Sequence, residues 1–205
     1  MLNRTVAYVS PTGNVLPMAR LTAHHWTDAA LQALGEQGPR ALSVEPLARR
    51  LGVTKGSFYH HFPNRSALKQ AVLERFVARS TEDIITQTNT AETAPWKRLR
   101  VLMHTVFAPA PAHERIEAAL RAWAATDPQV ATTLRHIDTR RVTYVAQLLE
   151  EAGHPPPIAH ARAALVYRVL IGEVTWAAMG GPRLTPLDLE QLATMLGAPS
   201  PRTGE

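Results

Sequence analysis

The chain has 205 residues, 45% of them apolar, with no cysteine and a net charge of +5. That size supports one large or two small packed units, the lack of cysteine excludes disulfide and thiolate chemistry, and with no run of 18 apolar residues no membrane-spanning helix is expected. The charge is uneven: Arg20 to Arg79 holds nine Lys/Arg against four Asp/Glu, which leaves 13 of the 22 basic and 13 of the 17 acidic residues for everything else.

Residues 1–20 read as a flexible N-terminal tail. Thr5 to Val9 is β-prone, but Pro11, Gly13 and Pro17 break any continuation, and no strand pair is expected. Met18 offers an alternative start. The segment lacks a basic stretch followed by a long apolar one, so no signal peptide is expected and the cytoplasm is the default location. Leu21 to Gly35 reads as a helix with Trp26, Ala29, Ala30, Ala33 and Leu34 on its buried stripe, ended by Gly35, Gly38 and Pro39. His24 and His25 at its start read as solvated; as neighbours they point apart and cannot chelate together.

Ser43 to Leu68, SVEPLARRLGVTKGSFYHHFPNRSAL, organises the rest. It reads as two short helices around a tight turn. Ser43 is expected to N-cap the first by accepting a bond from a free N–H, Pro46 is tolerated in the first turn, and Leu47, Ala48 and Leu51 form the stripe. Gly52 ends that helix in the left-handed region, and Val53 fills the turn. Thr54 is expected to cap a second helix from Lys55 to about His61, with Phe58 and Phe62 turned inward at i, i+4. Pro63 stops it. Asn64 caps a long helix to about Asn89 with Leu68, Val72 and Phe76 on its inner stripe.

This is the layout of a helix-turn-helix, whose second helix enters the DNA major groove. The outer face of that second helix carries Lys55, Gly56, Ser57, Tyr59, His60 and His61, all hydrogen-bond donors except Gly56. Glycine costs about 1 kcal/mol against alanine inside a helix, which points to close approach of a phosphate or base edge to the backbone. The basic excess falls on the same segment, as a phosphate-binding head requires. Thr54, Lys55, Gly56 and Ser57 begin the helix, at the end that reaches bases, and Lys55 suits guanine O6/N7. Free N–H groups at Ser43 can hold a phosphate, although Glu45 opposes one. Arg65 and Lys69 lie in the first two turns of the next helix, where a bound phosphate would offset their conflict with the helix dipole. Of Arg49 and Arg50, one faces solvent. An N-terminal arm reaching DNA is an alternative to the tail, but only Arg4 and Arg20 would charge it.

GVTKGSFYHHFPNRSAL closely resembles the recognition-helix signature of TetR-family transcriptional regulators, and the resemblance continues back through EPLARRLG and WTDAALQALGEQGPRAL to cover about residues 22–78. It implies an all-α homodimer with a three-helix DNA-binding head and a larger helical domain that binds a small effector and dimerises, about nine helices in total. By the same resemblance Tyr59, His61 and Arg65 contact phosphates, and His60 a base or backbone. The implied division is residues 21–78 for the head, with its linking helix running to about 89, then 90–199 for effector binding and dimerisation, and a tail at 200–205.

Beyond a linker at Thr90 to Pro95, helical periodicity covers Trp96 to Phe107, Ala112 to Ala125, Asp127 to Ala152 and Ile158 to Met179, the last with Gly172 inside so that a second helix can approach. Gly180, Gly181 and Pro182 break it, and Thr185 caps a last helix. The helices at about 158–179 and 185–197 are the expected homodimer interface. Met103, His104, Phe107, Trp123, Tyr144 and Tyr167, with His136 and Trp176, are the candidates to line an effector cavity, His104 as its polar anchor; plain core packing is the alternative for each. Arg140, Arg141 and Asp138 are expected to form intrahelical or interhelical ion pairs, with a phosphate or carboxylate effector as the alternative, and Glu114, Glu117, Arg121, Glu150 and Glu151 a solvated face. No HExxH, GxSxG, Walker A or GxGxxG motif occurs, and the nine histidines lack ligand spacing. No catalytic residue, metal site or cofactor is therefore expected. The reading is a ligand-responsive repressor that binds a palindromic operator in double-stranded DNA as a dimer, with the effector unidentified and no membrane partner; the alternative is a helical enzyme or small-molecule carrier retaining the helix-turn-helix as scaffold.

Overall fold

Nine helical rods make up the computed structural model, which describes residues 21–197 together with two two-residue strands. The strands, β1 (Tyr8–Val9) and β2 (Val15–Leu16), pair antiparallel with Tyr8 opposite Leu16, so the β-prone stretch finds a partner that the sequence did not predict. The expected tails at 1–20, apart from these strands, and at 200–205 lie outside the described residues. The rods are α1 (Ala23–Gln37), α2 (Val44–Arg50), α3 (Lys55–Tyr59), α4 (Arg65–Val77) running on through a π-helical stretch (Ala78–Glu82) into α5 (Asp83–Ala91), then α6 (Pro95–Val106), α7 (Pro111–Ala124), α8 (Pro128–Glu151), α9 (Pro156–Ala178) and α10 (Pro186–Met195). Each of the last five rods starts on a proline, whose missing N–H is one the first turn cannot use.

The helix ends correct several expectations. Asn64 caps α4 as expected, its Oδ1 accepting from Ala67 N–H at 2.9 Å. Ser43 does not cap α2: its hydroxyl donates backwards to the Arg40 carbonyl at 2.8 Å. Thr54 makes no capping hydrogen bond either. His25 is more than solvated, because its Nδ1 accepts from Thr22 N–H at 3.0 Å and closes the first turn of α1. Gly38, at φ 74°, ends α1, while Gly35 lies within it. A Cβ at Gly35 would come within 2.9 Å of Ile116 Cγ1 and 3.2 Å of the Ile116 backbone, so Gly35 admits α7 against α1.

Two apolar cores result. The first joins Trp26, Leu34, Leu47, Phe58, Leu68 and Phe76 of the N-terminal helices to Leu120, Val130, Leu134 and Ile137 of α7 and α8, so the packing runs across residue 78 without a break. Trp26 meets Phe58 edge-on at 5.4 Å, which anchors α3 by its inner face. The second holds Ile85, Leu99, Leu102, Met103, Tyr144 and Leu148 with Ala159 and Ala163 of α9. Among the described residues no helix is long and apolar enough to cross a membrane.

The long rod is not uniformly α-helical. Ser80 Oγ donates back to the Phe76 carbonyl at 2.6 Å, and the bulge leaves the Ser80 carbonyl to accept from Arg141 Nη2 at 3.1 Å. Single-turn π segments concentrate where a helix serves a function, and this one divides α4, the helix that leads out of the helix-turn-helix, from α5.

Candidate nucleic-acid interface and ligand cavity

α3 is held by Phe58, fully buried, and Phe62 behind it, so its opposite side faces out. Thr54, Lys55, Gly56, Tyr59, His60 and Arg65 are all exposed there, Tyr59 at 60% despite its size; Ser57, His61 and Ser43 are half-buried. A Cβ at Gly56 would meet nothing nearer than Thr54 Oγ1 at 3.6 Å. Packing within the protein therefore does not require glycine at that position.

Pairing thins the basic excess. Arg50 bonds both oxygens of Glu36 at 2.7 Å, and Arg75 and Arg79 share Asp28. Lys55 Nζ lies 2.6 Å from Glu45, whose carboxyl is held below the usual range by that contact. Lys69, expected beside DNA, is instead committed to Asp127 at 2.9 Å and lies over the Trp123 ring, at the junction of α4 with α8. The exposed cations of the described head outside such pairs are Arg40, Arg49 and Arg65.

A cavity of about 230 Å³ opens among α5, α6, α7, α8 and α9 and the π-helical stretch. Met103, Phe107, Tyr144 and Tyr167 line it; His104, the expected anchor, is exposed and does not, because its side of α6 turns to solvent. Trp123 packs against the first core, His136 is exposed, and Trp176 is 53% exposed on α9. The cavity's polar wall comes from Glu114 and Glu117, read as solvated, from Arg141, expected in an ion pair, and from Arg79, Ser80, Thr81 and His113, which the sequence did not single out.

Glu114 and Glu117 are buried, at 5% and 1% exposure, because charge neutralises them. Glu117 Oε1 lies 2.6 Å from Arg121 Nη2, and its Oε2 accepts from Arg141 at 3.3 Å. Burial raises the Glu114 carboxyl, but the bond from Arg183 and that from Ala110 N–H outweigh it and hold it low. Arg121 also donates to Asp138 at 2.9 Å, and the Tyr167 hydroxyl donates to Asp138 Oδ1 at 2.5 Å. Burial pushes Asp138 up, yet Arg121 and Tyr167 overcome this and leave it below the usual carboxylate range. The Tyr167 phenol is pushed up to about 12, first by burial. The i, i+4 spacing of Glu117 and Arg121 was visible in the sequence; their burial needed the partners on α8 and α9. No group of three or more His, Asp or Glu among the described residues could hold a metal.

A short helix anchored by aromatic residues on one side and presenting donors on the other, one tight turn after α2, defines a helix-turn-helix head. Residues 27–72 match the model of the bacterial regulatory proteins of the tetR family. The tetracycline repressor protein class D of Escherichia coli is 39% identical over 62 residues, 30% of this chain and 28% of that protein, so the chain matches little more than a quarter of that relative's length. The regulator EthR of Mycobacterium tuberculosis is 28% identical over 146 residues, 66% of this chain and 67% of its own. A transcriptional regulator from Rhodococcus sp. Rha1 superposes with a TM-score of 0.67 at 26% identity, covering 86% of this chain and 95% of that one. Residues 27–72 are thus similar to the DNA-binding segment of the tetR-family regulators, and the helical fold as a whole is similar to that of the Rhodococcus regulator.

Proposed function

We propose that this protein is a cytoplasmic, ligand-responsive transcriptional repressor that binds a palindromic operator as a homodimer. The observation that carries the reading is the outward edge of α3: Lys55, Tyr59 and His60 exposed around an open glycine backbone, with Phe58 buried behind them. Thr54, Lys55, Gly56 and Ser57 reach base edges in this geometry, and Tyr59, His61, Arg65 and the N–H groups at Ser43 meet phosphates. The names of the relatives, which include a repressor and a regulator, support the same direction.

Dimerisation is assigned to α9 and α10. Ile158, Leu165, Val169 and Trp176 follow one another at helical spacing and are 46%, 62%, 38% and 53% exposed, and α10 leaves Leu187 and Met195 at 63% and 72%. Gly172 lies within the same stripe, with nothing within 4 Å of where its Cβ would be. An apolar stripe of that length is left for a partner helix. Two heads then read successive major grooves about 34 Å apart. The cavity is the effector site, and its wall includes Arg79, Ser80 and Thr81 of the rod that continues into α4. A ligand with different affinity for two settings of that rod shifts the head spacing and releases DNA. The test is fluorescence anisotropy with duplex DNA over a salt series, with Leu165→Glu alongside. Binding that weakens steeply with salt, and a monomeric but folded Leu165→Glu in sedimentation, are expected; a wild type that ignores duplexes at low ionic strength refutes the function.

A further inference from the structure

The polar groups facing the cavity are almost all spent inside the protein. Its inner charged lining residues are paired, Arg141 with Glu117 and Glu114 with Arg183, while Arg79, with its side chain 56% exposed, shares Asp28 with Arg75. The hydroxyls of Ser80, Thr105, Tyr144 and Tyr167 donate to Phe76, Val101, Asn89 and Asp138. Thr81 Oγ1 accepts from Arg141. Glu117 Oε1 lacks a hydrogen bond but is sealed from the cavity beside Arg121.

His113 is different. It lines the cavity, stacks on Phe76 of α4 at 5.8 Å with the rings 13° apart, and has no hydrogen bond among the described residues. A neutral imidazole offers one donor and one acceptor, and burial pushes this one down, which keeps it neutral. A charged group placed in the cavity interior, away from the exposed Arg79, would have to break one of the existing pairs or lie unpaired in an apolar space, and either is costly. An uncharged one needs only a group that meets the open ring nitrogen.

We infer that the cavity takes an uncharged, largely apolar small molecule whose single hydroxyl, carbonyl or amide group is read by His113. This rests on the cavity being the effector site. The experiment is ligand-observed NMR on the full-length protein with four probes of similar shape: cinnamyl alcohol, cinnamate, cinnamylamine and propenylbenzene. Val106→Trp, which fills the cavity, reports where they bind, its folding checked by circular dichroism. His113→Phe keeps the ring on Phe76 and removes the nitrogens.

Cinnamyl alcohol is expected to bind at least tenfold more tightly than either charged probe, to lose binding in Val106→Trp, and to weaken about three- to tenfold in His113→Phe. The purely apolar propenylbenzene is expected to bind His113→Phe and wild type alike. Cinnamate or cinnamylamine binding as tightly as the alcohol, with Val106→Trp abolishing it, overturns the inference and leaves the effector site standing. Equal loss of alcohol and propenylbenzene in His113→Phe also overturns it, since His113 would then only be packing. Binding that Val106→Trp does not touch, or no binding by any probe, overturns both.

Discussion

Arg65 and Lys69 lie one helical turn apart, and both read from the sequence as phosphate contacts; the structure separates them. Lys69 is tied to Asp127, whereas Arg65 stays exposed beside α3. On nonspecific duplex, where Lys55 has no operator base to read, the cations available to a phosphate in each head are then Arg40, Arg49, Arg65 and Lys55, the last by exchanging Glu45 for phosphate. Four per head and two heads give about eight phosphates neutralised, hence a slope of log affinity on log salt near −7. Arg65→Ala removes two contacts per dimer and should flatten the slope to about −5. Between about 50 and 200 mM salt the wild type should lose roughly ten-thousandfold in affinity and the variant roughly a thousandfold. Lys69→Ala should leave the slope unchanged and instead cost about 1 kcal/mol of stability, because its partner is half-buried but still held by the Gln129 and Val130 N–H groups. That corresponds to a midpoint lower by about 2–4 °C. Nonspecific duplex suffices for the anisotropy titration, since this electrostatic contribution is independent of sequence. The reasoning is refuted if Lys69→Ala flattens the slope as much as Arg65→Ala, or if Arg65→Ala leaves it at the wild-type value.

Gly35→Ala should destabilise by about 1–3 kcal/mol in urea unfolding, because the new methyl meets the Ile116 backbone as well as its side chain; an unchanged midpoint would mean α7 moves away freely. Arg141→Leu should cost about 3 kcal/mol by leaving Glu117 to Arg121 alone and freeing the Ser80 carbonyl, and adding Glu117→Gln should recover much of it; strictly additive losses in that cycle would show the pair is uncoupled. Asp138 has a folded pKa below its ordinary 3.8, so its contribution is complete above about pH 4 and lost as pH falls through the lower folded value. Asp138→Asn should therefore melt lower than wild type at neutral pH and show a smaller drop on acidification; an identical drop would remove Asp138 from the acid transition. Lys55→Ala should weaken specific operator binding by about tenfold or more while Tyr59→Phe weakens all sequences alike, measured by competition between operator and nonspecific duplex.

The local chemistry of residues 43–68 determined the head. Gly52 takes φ 68°, Asn64 caps α4, and Phe58 and Phe62 turn inward, each because a few neighbouring residues decide the matter. The helical rods of the second half were legible for the same reason, since periodicity and proline placement act within one element. What only the tertiary structure decided depends on residues far apart in sequence. Glu117 looks like a solvated charge until Arg141, 24 positions on, neutralises it. Lys69 looks like a DNA contact until Asp127, 58 positions on, takes its amine. His104 and Phe107 share a helix face on paper, yet the packing of α6 exposes one and sends the other to the cavity. The π-helical bulge belongs to the same class, because the Ser80 carbonyl it releases is held by Arg141 from α8. A charge or polar group costs or contributes according to what surrounds it, and no window along the chain contains that surrounding.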